Sequence, residues 1–251
     1  IPGKVTLDIT GNVVMDDPWV RSYMPTLDEA HLSVQSGLKN VSGKRQKVTL
    51  RGTIMPGNIS FQKTIVVENE QTGHIKIDRS DIKDLVMKNP RLWWPNGYGE
   101  PFLYQAKLET VVEGHVTDSK TIDFGIRKYE YYWDKNKVDF PVLTLICNGK
   151  KIFMKGGNWG MSEYLLRYHD KDYETAIRLH KEMKYNTIRL WTGCVTDDEF
   201  YDYCDRYGIL VWTDFWLYVS YNDVAEHDVF LLNARDKVRR LRNHASIAVL
   251  C

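Results

Sequence analysis

Thr187-Ile188-Arg189-Leu190-Trp191, then Thr196-Asp197-Asp198-Glu199 running on to Gly208, then Ile209-Leu210-Val211-Trp212-Thr213-Asp214-Phe215-Trp216: these stretches decide how the second half of the chain folds. The first and last are apolar runs of strand length. The middle one reads as a capping box opening a helix that Gly208 closes. Strand, helix, strand in that order means parallel strands with a crossover, because a tight turn cannot join parallel strands. Working outward, Asp170 to Asn186 places Tyr173, Ala176, Ile177, His180 and Met183 near helical spacing. Leu231, Ala234, Val238 and Leu241 mark a third helix, basic toward its end, and Ile247-Ala248-Val249-Leu250-Cys251 is a final strand. Upstream, Leu143-Thr144-Leu145-Ile146-Cys147 and Lys151-Ile152-Phe153-Met154-Lys155 flank Asn148-Gly149, a hairpin pair because both residues tolerate positive φ. The second of these runs counts as the first strand of a β-α-β-α-β-α-β series that starts near Phe140. That series fits a doubly wound sheet. It equally fits part of a (β/α)8 barrel, of which the 112 residues from Phe140 to Cys251 are about half.

The first half has a different period. Ala30 to Gln35, Lys47 to Ile54, Thr64 to Val67, His74 to Ile77, Leu103 to Glu109 and Thr121 to Phe124 alternate apolar and polar residues. Ser42-Gly43-Lys44, Pro56-Gly57-Asn58, Asn69 to Gly73, Asn96 to Gly99 and Glu113-Gly114-His115 separate them with turn residues. Six or seven short strands divided in this way predict an antiparallel β-sandwich.

Composition narrows the function. The chain has 251 residues, of which 43% are hydrophobic and 27% charged, as in a globular protein. Its net charge of +1 gives no electrostatic case for nucleic acid or an anionic membrane surface. No apolar run reaches the roughly 18 residues of a membrane helix. Ile1-Pro2-Gly3-Lys4 is not a signal peptide, and the start without Met reads as a processed or excised piece. Four cysteines, Cys147, Cys194, Cys204 and Cys251, are too few for a disulfide framework and read as free thiols. Two sequons, Asn40-Val41-Ser42 and Asn58-Ile59-Ser60, hint at a secretory or vacuolar route.

Several residue types carry chemistry. Trp159, Trp191, Trp212 and Trp216 fall at or near strand ends in the second half. Indole faces pack on the C–H faces of sugar rings, and they also fill cores. Arg189 and Asp214 interrupt apolar strands, where a charge needs a partner. They make an ion pair, a ligand contact or both. Period two puts Trp212, Asp214 and Trp216 on one face, and Arg189 with Trp191 on one face. Gly156-Gly157-Asn158-Trp159-Gly160 fits neither a dinucleotide fingerprint nor a phosphate loop. The histidines form no metal-binding pattern, so neither cofactor nor metal is expected. His244 reads as a packing or hydrogen-bonding residue. Glu163, Asp197, Asp198 and Glu199 read as loop or capping acids, and no nucleophile elbow occurs.

Taken together, these segments resemble the family 2 glycoside hydrolases. Leu92-Trp93-Trp94-Pro95-Asn96-Gly97-Tyr98-Gly99 with Pro101-Phe102-Leu103-Tyr104 is similar to the closing segment of that family's β-sandwich. Phe124-Gly125-Ile126-Arg127 resembles its exit. Asn148-Gly149-Lys150 and Gly156-Gly157-Asn158-Trp159 resemble the entry to its barrel, Thr187-Ile188-Arg189 the second strand, and Arg242-Asn243-His244-Ala245-Ser246-Ile247 a later signature. Within the family, the residues are closest to the branch of β-mannosidases, exo-β-glucosaminidases and plant glycoprotein endo-β-mannosidases.

The resemblance implies an immunoglobulin-like β-sandwich over 1–128 and the first half of a (β/α)8 barrel over 129–251. It also implies retaining cleavage of β-mannosidic bonds, in particular Manβ1-4GlcNAc of N-glycan cores. A sugar site would be lined by Asn158, Trp159, Arg189, Trp191, Asp214 and Trp216. The family's two catalytic glutamates fall after the strand ending at Cys251, so no residue here is assigned as acid/base or nucleophile. The implied partners are the carbohydrate and other polypeptides of the same processed precursor, without which the half-barrel is expected to be unstable. Ala245 and Leu250 depart from the family's Pro and Trp. Competing readings are an exo-β-glucosaminidase or exo-β-mannosidase fragment, a non-catalytic carbohydrate-binding module and a free-standing doubly wound domain.

Overall fold

The computed structural model of the chain describes residues 5–134, 142–160, 168–217, 224 and 226–251. The chain divides into two compact units: Ile1–Pro90 with Tyr104–Phe124, and Arg91–Leu103 with Gly125–Cys251.

The first unit holds β1 (Val13–Thr26), β2 (Glu29–Asn40), β3 (Gln46–Met55), β4 (Ile59–Val67), β5 (Thr72–Ile77), β6 (Val86–Lys88), β7 (Tyr104–Val112) and β8 (His115–Phe124). A 3₁₀ turn over Lys83–Leu85 precedes β6. One antiparallel sheet runs β1-β2-β5, with β6 also on β2, and the other runs β4-β3-β7-β8. The alternation seen in the sequence is the alternation of burial: Tyr104, Ala106, Leu108, Thr110 and Val112 of β7 are buried, while Gln105 and Lys107 are exposed. Sequence periodicity misses β1. Its register shifts between Asp16 and Trp19, where Asp17 has φ 48° and Pro18 cannot donate, so the bulge breaks the period.

In the second unit β9 (Tyr129–Asp134), β10 (Val142–Cys147) and β11 (Lys150–Ile152) form an antiparallel sheet. Asn148 (φ 49°) and Gly149 (φ 77°) make the tight turn between β10 and β11. Then β12 (Gly156–Asn158), α1 (Asp170–Glu182), β13 (Thr187–Leu190), α2 (Asp198–Tyr207), β14 (Leu210–Thr213), α3 (His227–Leu241) and β15 (Ile247–Leu250) follow. The four strands lie parallel in the order β12-β13-β14-β15.

Three expectations need correction. The first parallel strand is Gly156–Asn158 itself, not Lys151–Lys155. Only glycine fits at 156, because a Cβ there would lie 1.7 Å from the Thr187 carbonyl oxygen. The capping box does not form: α2 starts after Asp197, which caps no N–H with its side chain, and Thr196 Oγ1 is buried without a partner. The strand starting at Ile209 is shorter than its apolar run, since β14 ends at Thr213. Gly208 does close α2, in the left-handed region at φ 73°.

Residues of both helix and sheet fill one core: Tyr173 and Ile177 of α1, Ile188 and Leu190 of β13, Phe200 and Cys204 of α2, Val211 of β14 and Leu241 of α3. A second cluster joins Trp93, Leu145, Cys147, Ile152, Leu210, Ala245 and Ala248. The N-terminal edge of the parallel sheet is tied by buried polar groups. Asn186 accepts from Lys155 N–H (2.8 Å) and donates to the Phe153 carbonyl (3.0 Å). Asp205 accepts from Ser246 N–H (2.7 Å) and pairs with His244 Nδ1 (2.8 Å). The Trp93 indole donates to the Asp205 carbonyl (2.8 Å), and Asn148 donates to the Trp93 carbonyl (2.9 Å). Arg127 Nε and the Tyr129 hydroxyl both donate to the Ala245 carbonyl. The motif containing His244 is thus a structural node.

Candidate functional site

At the C-terminal edge of the parallel sheet the chain leaves each strand for a loop. β13 ends in the 3₁₀ turn Trp191–Gly193, and β14 runs into Asp214, Phe215 and Trp216. Ile188 and Leu190 pack into the helix-side core, so Arg189 points to the other face. Arg189 stands opposite Trp212 in the register of β13 on β14, and opposite Asn158 in that of β12 on β13.

Arg189 and Asp214 form the ion pair that the sequence raised. Nη2 lies 2.8 Å from Oδ2, and Nε lies 3.2 Å from each carboxylate oxygen. The guanidinium also sits 5.0 Å over the Trp212 ring. Asp214 is 6% exposed. Buried charge is tolerated there because the carboxylate has three donors from two groups: the two guanidinium nitrogens and Thr192 N–H, 3.1 Å from Oδ2.

Trp191 and Trp216 are 46% and 39% exposed. Gly193 permits the approach of Trp216: it has φ 74°, and a Cβ there would come within 2.7 Å of the indole. Lys237 of α3 reaches into the same region. It donates to the Asp214 carbonyl (2.6 Å), with Nζ 5.1 Å from the Trp216 ring and 5.7 Å from that of Phe215. Burial, with help from Arg240, pulls its ammonium below the ordinary lysine range against the opposing Asp214 and Cys194. A cavity of about 250 Å³ lies beside Trp216, lined by Cys194, Tyr201, Lys237 and Arg240.

The structure therefore brings Arg189 and Asp214 together, with Asn158 in register beside Arg189. Trp191 and Trp216 stand on the loops that follow. Trp159 is different. Its N–H donates to the Arg189 carbonyl (2.7 Å), but its ring packs among Tyr168, Tyr173, His180 and Phe200 in the helix-side core. Glu163 lies outside the described residues. Asp198 pairs with Arg240, and Asp197 sits at the start of α2. Sequence reasoning missed Thr192, Lys237 and the part of Trp212 under Arg189. Lys237 had a signal: it precedes the buried Leu241 by four residues, on the inward stripe of α3.

Residues 13–127 match the glycosyl hydrolases family 2 domain. The chain is 34% identical to a mannosylglycoprotein endo-beta-mannosidase of Lilium longiflorum, over 98% of this chain and 27% of that protein. It is 32% identical to an exo-beta-D-glucosaminidase of Streptomyces avermitilis, over 80% of this chain and 22% of that protein. The solved beta-D-mannosidase of Dictyoglomus thermophilum has a TM-score of 0.81 and 29% identity, over 96% of this chain and 29% of that one. The chain carries a family 2 glycosyl hydrolase domain. Its relatives are an endo-β-mannosidase, β-mannosidases and an exo-β-glucosaminidase, and it spans about a quarter of their length.

Proposed function

We propose that the chain is one part of a retaining family 2 glycosidase that cleaves β-mannosidic bonds, with Manβ1-4GlcNAc of N-glycan cores as substrate. The observation that carries this reading is the pair of half-exposed indoles, Trp191 and Trp216, on loops next to a partly exposed Arg189 that is paired with the buried Asp214. Flat apolar faces hold a sugar ring, and fixed polar groups select its hydroxyls. Asn158 adds an amide at the adjoining strand, and Trp159 supports Arg189 from the backbone. In a retaining reaction one carboxyl group protonates the leaving oxygen and a second forms the glycosyl intermediate. We assign neither to a residue of this chain.

In this reading residues 1–128 are an immunoglobulin-like β-sandwich. Residues 129–251 are the first half of a (β/α)8 barrel. Two features support a completed barrel. Among the described residues, β12 and β15 each pair with one strand of the parallel sheet. Trp212 Nε1 is buried without a partner, a state that costs about 1–3 kcal/mol.

The test uses the assembled enzyme with an aryl β-mannoside, an aryl β-glucosaminide and a Manβ1-4GlcNAc glycopeptide. Cleavage of the mannosides with retained anomeric configuration is expected. Preference for the glucosaminide would favour the reading that the Streptomyces relative suggests. Trp191→Ala and Trp216→Ala should each raise KM about tenfold, the scale of one lost aromatic contact, with little change in Tm. Wild-type KM in both variants overturns the site.

A further inference from the structure

The two Asn-x-Ser sequons lie in the first unit in opposite surroundings. Asn40 ends β2 and is 0% exposed. Its Nδ2 donates to the carbonyls of Lys44 (2.8 Å), Val67 (3.1 Å) and Glu68 (3.2 Å), and its Oδ1 accepts from Ser42 N–H (3.0 Å). The sequon hydroxyl is committed as well, with Ser42 Oγ donating to the Lys44 carbonyl and accepting from Gln46. Asn58 is exposed at the tip of the β3–β4 hairpin, in the left-handed region at φ 50°. No hydrogen bond holds its side chain among the described residues, and Ser60 two residues on is also exposed.

We propose that Asn58 is a site of N-linked glycosylation and that Asn40 is not. The modification joins the side-chain amide nitrogen to the anomeric carbon of a lipid-diphosphate-linked oligosaccharide. The N–C bond forms, the carbon–oxygen bond to the diphosphate breaks, the lipid diphosphate leaves, and one amide proton passes to a base. At Asn58 the product places a large polar group in solvent and disturbs no contact. At Asn40 it removes one of two N–H donors that serve three carbonyls, and it inserts a sugar where there is no space. A chain modified there on emergence cannot close the β2 end, so the folded chain carries no glycan at that position. Exposed turns are also where chains tolerate additions.

The test expresses the assembled enzyme, of which this chain is a part, behind a secretion signal in a human cell line. Both the secreted and the cell-retained chain are treated with peptide N-glycosidase in heavy-oxygen water, which marks each formerly glycosylated Asn as labelled Asp. Label at Asn58 in whichever pool holds the chain, and none at Asn40 in protease-resistant chain, supports the proposal. Asn58→Gln should remove the glycan without moving the Tm. Asn40→Gln should leave the Asn58 glycan in place while lowering the yield of protease-resistant chain. Asn58 unlabelled in both pools, or Asn40 labelled in protease-resistant chain, overturns it.

Discussion

The two edges of the parallel sheet treat buried polar groups differently. At the N-terminal edge, Asn186, Asp205, His244 and Trp93 are tied to backbone or to each other. Ser246 Oγ is an exception there. At the C-terminal edge, Trp212 Nε1 and Thr213 Oγ1 are buried without partners, and Thr192 sits at φ 52°. A satisfied edge fixes the fold. An edge that keeps orphan donors, exposed indoles and a strained turn is not arranged for stability alone, which agrees with the sugar site proposed there. The same division is general in parallel α/β folds, where sites form at the C-terminal ends of strands.

The comparison breaks most easily at Asp205. Asp205→Ala leaves the Ser246 N–H unpaired and His244 without its carboxylate. Removing one partner of a buried pair costs about 3–5 kcal/mol, a large share of a domain's total of about 5–15 kcal/mol. The urea midpoint should fall accordingly. A shift below about 1 kcal/mol would mean that the N-terminal edge is not what holds the sheet. Asn186→Ala comes next: the Lys155 N–H and the Phe153 carbonyl lose their side-chain partner, for about 1–3 kcal/mol by the same measurement.

His244 gives the edge a pH dependence. Burial works against its charged form, but the carboxylates of Asp205, Asp202 and Asp198 together outweigh that and raise its pKa above the ordinary value. A raised folded pKa means that the stabilisation is complete below the unfolded value of about 6.5. It is lost as pH rises through the folded value. The denaturation midpoint should therefore decline over that rise, and His244→Gln should flatten the decline. An unchanged slope in the variant would remove His244 from the account.

Much of this was legible in the sequence, for local reasons. Alternation over β7, the Asn148-Gly149 turn and Gly208 at the end of α2 are short-range signals that the structure keeps. The Arg189–Asp214 pair was legible because two opposite charges in apolar strands need each other. What escaped depends on distant contacts. Nothing near Trp159 says which side of the sheet its ring takes, since core and sugar platform want the same side chain. Lys237 meets Asp214 only because α3 folds back across the sheet end. Thr196 carried the capping signature, but its hydroxyl is buried and the helix begins one residue later than the signature requires.

The smallest expected effect has the opposite sign and tests the C-terminal edge. Thr192 occupies φ 52° and ψ 29°, a region that costs a β-branched residue roughly 1 kcal/mol or more. Its N–H is held there by Asp214 Oδ2, so the turn carrying Trp191 is set by the same carboxylate that orients Arg189. Glycine adopts this conformation without the Cβ clash, although it also gains freedom in the unfolded chain, which offsets part of the gain. Thr192→Gly should therefore raise stability by about 0.5–1 kcal/mol, while Asp214→Asn, which weakens the hold on the turn, should erase that gain in the double variant. If Thr192→Gly destabilises instead, the turn is not strained and the contrast between the two edges loses its sharpest element. If it stabilises and also weakens sugar binding in the assembled enzyme, the strain serves the placement of Trp191.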